Sequence, residues 1–152
     1  QYSRETPEPL ETAGGIRKAL PLLGEEPFVV VNGDIWTDFD YSRLESLLEK
    51  NQSVHLVVVP KEKSVEKSDF SLRNGLLVRD NRNALTYSGV GVFRPGIFPP
   101  EPTPITRLAP LLFDLASTQS IGGTLFDGLW FDIGTPARLQ RASQLIEAAL
   151  LK

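Results

Sequence analysis

The 152-residue chain contains no cysteine, which excludes disulfides, thiolate catalysis and cysteine-based zinc sites. It has one histidine, His55, so any Ser-His-Asp triad would have to recruit it. That residue lies inside the apolar run Val54 to Val59 and reads as a structural strand residue. The formal net charge is −3 and no Lys/Arg cluster reaches five residues, so the footprint of a nucleic-acid-binding protein is missing. No segment approaches the roughly 20 consecutive apolar residues of a membrane span. The opening Gln1-Tyr2-Ser3-Arg4-Glu5 is too polar and charged for a signal peptide, and a soluble cytoplasmic protein is expected. Methionine is absent, even at position 1. The chain also starts on what reads as the tail of a strand or its loop, and is expected to be a fragment or processed form of something longer.

What is present suits a single domain with a real core: 41% hydrophobic and 23% charged residues over this length. Ile16, Ala19, Leu20, Leu22 and Leu23 recur at helical spacing, with Gly24 as a stop. Gly14-Gly15 before them reads as a turn opening that helix, whose free N–H groups would suit an anion or a base edge. Phe28 to Val31 and Val54 to Val59 read as buried strands, and Asp40 as the cap of a helix with Leu44, Leu47 and Leu48 inward. Residues 61–68 read as an exposed charged loop. A hairpin across Arg73-Asn74-Gly75, a polar turn at Asp80 to Asn83, a strand from Leu85 to Phe93 and a proline-rich loop between 95 and 104 follow. Leu108 to Ala116 is a short helix, and Thr124 to Phe126 and Trp130 to Asp132 are short strands. A final helix runs from Pro136 to about Leu151, with Thr135 as N-cap and Leu139, Ala142, Leu145, Ile146 and Ala149 as its buried stripe. Alternating strands and helices indicate α/β, with an antiparallel excursion around 70–93.

Two junctions carry candidate chemistry. The run Phe28 to Val31 ends in Asn32-Gly33-Asp34, and Leu129-Trp130-Phe131 delivers Asp132 into Ile133-Gly134-Thr135. Ligands of open α/β sheets sit at the carboxyl ends of strands. Two acids there could share one divalent cation, which usually partners phosphate; equally, each could cap a turn. Asp38-Phe39-Asp40 is a bare D-x-D, the motif with which metal-dependent glycosyltransferases hold a nucleotide diphosphate, although it precedes an apparent helix and reads better as a cap.

Taken together, Pro9-Leu10-Glu11-Thr12-Ala13-Gly14-Gly15, Val31-Asn32-Gly33-Asp34, Tyr87-Ser88-Gly89-Val90 and Trp130-Phe131-Asp132-Ile133-Gly134-Thr135 resemble the sugar-1-phosphate nucleotidyltransferases. Leu10 to Trp36, Ser68-Asp69-Phe70 and Leu108-Ala109-Pro110-Leu111-Leu112 look most like the bacterial N-acetylmuramate 1-phosphate uridylyltransferases of cell-wall recycling. The resemblance implies a three-layer α/β/α sandwich with a Rossmann-like mixed sheet, of the nucleotide-diphospho-sugar transferase type. It also implies transfer of a nucleotidyl group from a nucleoside triphosphate, UTP by the narrower match, to a sugar 1-phosphate.

By that resemblance Asp34 and Asp132 hold Mg2+. Thr12, Ala13 and Gly14 meet the base, Asn32 supports the ribose or the Asp34 loop, and Asp69, Ser88 and Gly89 meet the sugar phosphate. Trp130 reads as a core aromatic beside the metal loop. The family's opening strand, its Gly-x-Gly-x-Arg loop and the Lys that follows have no counterpart among these residues. Residues 1–152 are therefore expected to be the latter two-thirds of such a domain, inactive alone, with Phe28 to Val31 left as an exposed apolar edge. The family's sugar-gripping Glu-Lys-Pro is not matched by Pro60-Lys61-Glu62-Lys63, so the sugar stays open. A truncated remnant that only binds a sugar phosphate is the non-catalytic alternative.

Overall fold

The computed structural model describes residues 1–61, 69–80, 84–98 and 106–150. The expectations placed on 62–68, 81–83 and 99–105, including Ser68 and most of the proline-rich loop, lie outside the described residues, as does the side chain of Ala149.

A six-stranded mixed sheet forms the centre, in the order β1-β6-β3-β7-β5-β4. Its strands are β1 (Phe28–Val31), β3 (Val54–Pro60), β4 (Ser71–Arg73), β5 (Leu76–Val78), β6 (Leu85–Phe93) and β7 (Ile121–Leu125). Among the described residues only β3 and β7 run parallel, and the other pairings are antiparallel. Val54 to Val59 is buried at every position, as an unbroken apolar run requires when both faces of a strand are covered. The Asn74-Gly75 hairpin forms as the sequence indicates, with positive φ at both residues.

The two faces carry separate cores. Val54, Leu56 and Val58 point to one side, against Ala13 of α1 (Glu11–Leu23) and Leu108 and Leu112 of α2 (Leu108–Ser117). Val57, Val90 and Val92 point to the other, where Phe39 and Leu44 cover them. Asp40 caps a short 3-10 helix, Tyr41–Ser46, rather than an α-helix; its carboxylate accepts from the Ser42 backbone and hydroxyl, and those bonds lower its pKa. Strand β1 ends the described sheet, with Val29 and Val31 46% and 45% exposed, in line with the expected apolar edge.

A second, two-stranded ribbon pairs β2 (Ile35–Thr37) with β8 (Trp130–Asp132), Trp36 lying across from Phe131. The last helix, α3 (Pro136–Leu150), packs against β8. The ribbon is too narrow to cover the stripe expected on α3. Ala142 is buried, but Leu139 and Leu145 remain about half exposed and Ile146 is only partly covered.

The start of α1 also departs from expectation. Gly14 and Gly15 lie inside the helix, which begins at Glu11. The N–H groups of Ala13 and Gly14 donate to the Thr106 carbonyl at 3.0 and 3.2 Å, so they are not free for an anion. Glycine at 14 is a packing requirement, since a Cβ there would stand 2.9 Å from Leu10 Cβ.

Candidate active site

The turn after β1 leads directly into β2, so Asp34 sits where the large sheet hands the chain to the ribbon. Asp132 is the last residue of β8, paired with Ile35, and the Ile133 N–H donates to the Asp34 carbonyl at 2.8 Å. Regular pleating would send residues one register apart to opposite faces of the ribbon. The turn re-aims Asp34, and the two carboxylates converge. A Cβ built on Gly134 would lie 3.1 Å from Asp34 Oδ2 and 3.2 Å from Asp132 Oδ1. Both oxygens thus face one small space that glycine keeps open.

The turn-capping expectation finds support at Asp132. Its Oδ1 accepts from the Gly134 N–H at 3.0 Å, a turn-capping bond, and its Oδ2 accepts from Arg138 Nη1 at 2.6 Å. The Asx-type turn aims the carboxylate; it does not remove it from the shared space. Thr135 caps α3 as expected, accepting from the Arg138 N–H at 3.3 Å.

The D-x-D residues do not converge on anything. Asp38 Oδ1 accepts from the Leu129 N–H at 2.8 Å, tying the ribbon's entry, while Asp40 serves the 3-10 turn. Asp40 behaves as the expected cap, and Asp38 is a long-range tie between the two ends of the ribbon.

Beside the turn, a cavity of about 320 Å³ is bordered by Thr12, Asn32 and Asp69, with Phe70, Leu112 and Phe113 among its apolar wall. That brings together residues from α1, the post-β1 turn and the segment before β4. Asp69 is anchored by β6: its Oδ2 accepts from Thr86 Oγ1 at 2.8 Å and from the Tyr87 N–H at 3.2 Å.

Ser88 and Gly89 stand behind this cavity for reasons of their own. Ser88 is buried and its hydroxyl donates to the Val57 carbonyl at 2.8 Å, while accepting from the Val90 N–H. Any contact it makes with a ligand must come from its backbone. The β3–β6 register shifts between Val57 and Val58, and Gly89 adopts φ 84° there, so it occupies a strand bulge. A Cβ on Gly89 would meet the Asn32 side chain at 2.9 Å, and the Gly89 carbonyl accepts from the Asn32 N–H at 2.8 Å. The bulge therefore positions Asn32. Trp130 fastens the ribbon to this point, donating Nε1 to the Ser88 carbonyl at 2.8 Å.

Four residues at the site escaped the sequence reading. Tyr87 and the Glu11–Arg107 ion pair (3.8 Å) border the cavity, and Arg138 meets Asp132. Only Arg138 left a usable signal, as a cation close after a carboxylate and within reach from the first turn of a capped helix.

The fold matches solved structures of one class. A structure of UDP-glucose pyrophosphorylase complexed with UDP-glucose superposes with a TM-score of 0.70 at 19% identity, covering 93% of this chain and 64% of the other. The architecture is therefore that of the nucleotide-diphospho-sugar transferases, with helices on a mixed sheet. No family model matches the chain. It is 42% identical over 154 residues to the N-acetylmuramate alpha-1-phosphate uridylyltransferase of Neisseria meningitidis serogroup B, covering 97% of this chain and 67% of that protein. The enzyme of the same description from Caulobacter vibrioides is 32% identical over 159 residues, with 96% and 66% covered. The chain belongs to the sugar-1-phosphate nucleotidyltransferase family. It spans about two thirds of the length of these two curated relatives.

Proposed function

We propose that the chain forms the larger part of a Mg2+-dependent enzyme that joins UTP to N-acetylmuramate 1-phosphate, giving a nucleotide-sugar and pyrophosphate. Attack of a sugar-phosphate oxygen on the α-phosphorus forms one P–O bond, and the bond to the departing pyrophosphate breaks. The protein's task is to align two anions that repel each other and to offset charge on the α-phosphate. The convergence of Asp34 and Asp132 on the space beside Gly134 carries this reading. Among the described residues no cluster of three metal-ligating side chains exists. Two carboxylates on an open turn suit Mg2+, which keeps waters and takes phosphate oxygens as further ligands. Bound there, the ion would supply positive charge between the phosphates.

Of the remaining residues Thr12, Asn32 and Asp69 border the cavity, and Ala13, Gly14, Ser88 and Gly89 do not line it; the resemblance alone supports a role for those four. Thr12, Ala13 and Gly14 would meet the base and Asn32 the ribose or the Asp34 turn. Asp69 would accept from sugar hydroxyls, and the Ser88-Gly89 backbone would border the sugar phosphate. Uridine as the base and N-acetylmuramate as the sugar are supported by the 42% and 32% identical relatives, and a cytoplasmic role in cell-wall recycling accompanies them. No described helix is long and apolar enough to cross a membrane.

The test is product analysis with the complete gene product. Pyrophosphate release from UTP, dependent on N-acetylmuramate 1-phosphate and Mg2+, is expected. Release of UDP from a UDP-sugar would instead mark a glycosyltransferase and refute the assignment. The 152-residue polypeptide alone is expected to show negligible turnover, since the phosphate-cradling loop and Lys of the family are not among its residues.

A further inference from the structure

The charged residues that line the cavity, among those described, are two carboxylates, Glu11 and Asp69, and one cation, Arg107. Arg107 stands where the helix gains nothing from it. It occupies the N-cap position of α2 without making a side-chain capping bond. Short polar side chains are preferred there, and a positive charge opposes the helix dipole. Its ion-pair partner is Glu11, whose Oε1 lies 3.8 Å from Nε, and the two side chains are 77% and 44% exposed. An exposed pair at that distance contributes little to stability. Glu11 is itself strained, with φ 60°, a left-handed backbone that residues carrying a side chain avoid. Strain of this kind collects at binding sites.

Backbone bonds fix the two residues beside each other. The Thr106 N–H donates to the Leu10 carbonyl at 3.0 Å, and the Thr106 carbonyl accepts from the Ala13 N–H at 3.0 Å. The residue before Arg107 is thus stitched to the chain on either side of Glu11. The Glu11 contact is through Nε, and the two Nη groups have no partner among the described residues. An arginine presents parallel N–H donors that match the two oxygens of a carboxylate. The cavity's own acids repel such a group, so a carboxylate that enters needs this cation.

The proposed substrate brings one. N-acetylmuramate 1-phosphate is anionic twice, at its phosphate and at the carboxylate of the lactyl ether on its ring. The proposed function sets the phosphate toward the Asp34 turn and the ring hydroxyls toward Asp69. We propose that Arg107 is a specificity-determining residue, whose guanidinium receives the lactyl carboxylate and so selects a sugar 1-phosphate with an acidic substituent. The assignment rests on the proposed function, since it takes the cavity as the sugar side. Glu11 is then a positioning residue, holding the guanidinium until the carboxylate arrives. A neutral sugar leaves the Nη groups unpaired and is disfavoured.

Arg107→Gln tests it against N-acetylmuramate 1-phosphate and its carboxamide, in which a neutral amide of nearly the same shape replaces the carboxylate. Isothermal titration uses the complete gene product with a non-hydrolysable UTP analogue bound. The unmodified protein should bind the acid about tenfold more tightly than the amide, and Arg107→Gln should bind the two within about twofold of each other. Arg107→Lys should keep part of the preference, and the UTP analogue should bind all three proteins within about twofold. A preference for the acid that survives in Arg107→Gln would overturn the proposal, whether or not the melting temperature falls. So would a weakened UTP analogue with that preference intact, which would place Arg107 on the nucleotide. Equal binding of acid and amide by the unmodified protein would overturn it and leave the proposed function standing. Failure of the unmodified protein to bind either sugar phosphate would overturn both.

Discussion

Arg138 donates Nη1 to Asp132 Oδ2 at 2.6 Å from the first turn of α3. A cation at a helix N-terminus opposes the helix dipole, and this one stays because a carboxylate stands beside the helix entrance. The same carboxylate is a candidate metal ligand, so the guanidinium and a divalent ion compete for it. The partners are 58% and 43% exposed, and such pairs contribute about 0.2–1 kcal/mol. Arg138→Ala should therefore lower the Mn2+ dissociation constant about two- to fivefold, read from free Mn2+ by electron paramagnetic resonance. Weaker or unchanged binding would show that Arg138 supports the ligand rather than competing with the ion.

Gly134 offers a sharper probe of the shared space. Its backbone is not in the left-handed region, so alanine imposes no φ strain. The added methyl group would stand 3.1 and 3.2 Å from the two carboxylate oxygens, close to where an ion would bind. Gly134→Ala is expected to cut turnover of the complete enzyme by at least about a hundredfold, as should Asp34→Asn and Asp132→Asn. Melting temperatures should stay within about 2 °C, because Asp34 and Gly134 are exposed and Asp132, at the end of β8, is only half buried. Near-normal turnover in any of the three would place the ion elsewhere.

Gly89 is held to glycine twice over. At φ 84° a side chain costs about 1–2 kcal/mol, and a Cβ would also collide with Asn32 at 2.9 Å. Gly89→Ala should lower the melting temperature by roughly 5 °C. Adding Asn32→Ala should restore part of that loss by removing two of the three colliding atoms, Cγ and Nδ2, while the contact with Asn32 Cβ and the backbone strain remain. Strict additivity of the two substitutions would show that the residues are not coupled.

How much of this was legible beforehand depended on the range of the forces involved. The unbroken run in β3, the Asn74-Gly75 hairpin and the glycines within β6 are local signals, and the structure follows them. Asp34 and Asp132 were found by their place at strand ends, but their convergence needed the β2–β8 ribbon, a pairing between segments almost a hundred residues apart. Gly14-Gly15 misled because the helix recruits the Thr106 carbonyl from across the fold, which no local pattern encodes. The α3 stripe misled for a related reason: periodicity says which face is apolar, not how much surface will be there to cover it. Ser88 misled for want of one fact, the bulge at Gly89 beside which the serine hydroxyl bonds into the sheet.

His55 fulfils its expected structural role, and its pH dependence can be signed. Buried in β3, it pairs Nδ1 with Gln52 Oε1 at 3.1 Å and Nε2 with Thr124 Oγ1 at 2.9 Å. Because the amide oxygen only accepts, Nδ1 carries the proton and Nε2 accepts from the threonine. Burial is the main influence on its pKa and pushes it below the usual histidine value, against smaller opposing effects from Glu49 and the Leu47 carbonyl. Between that depressed value and 6.5 the unfolded chain binds a proton that the folded chain refuses, so stability rises with pH across this window. It is fully present above 6.5 and declines as pH falls toward the folded-state value. His55 is the only histidine of these 152 residues, so within them no second imidazole blurs the transition. The midpoint of urea unfolding should climb between pH 5.5 and 7 and then flatten. In His55→Asn the curve should lose this slope, although its overall stability will be lower. A midpoint that falls as pH rises through the same range would mean that the folded protein favours the charged imidazolium, and the assignment of the neutral tautomer would be wrong.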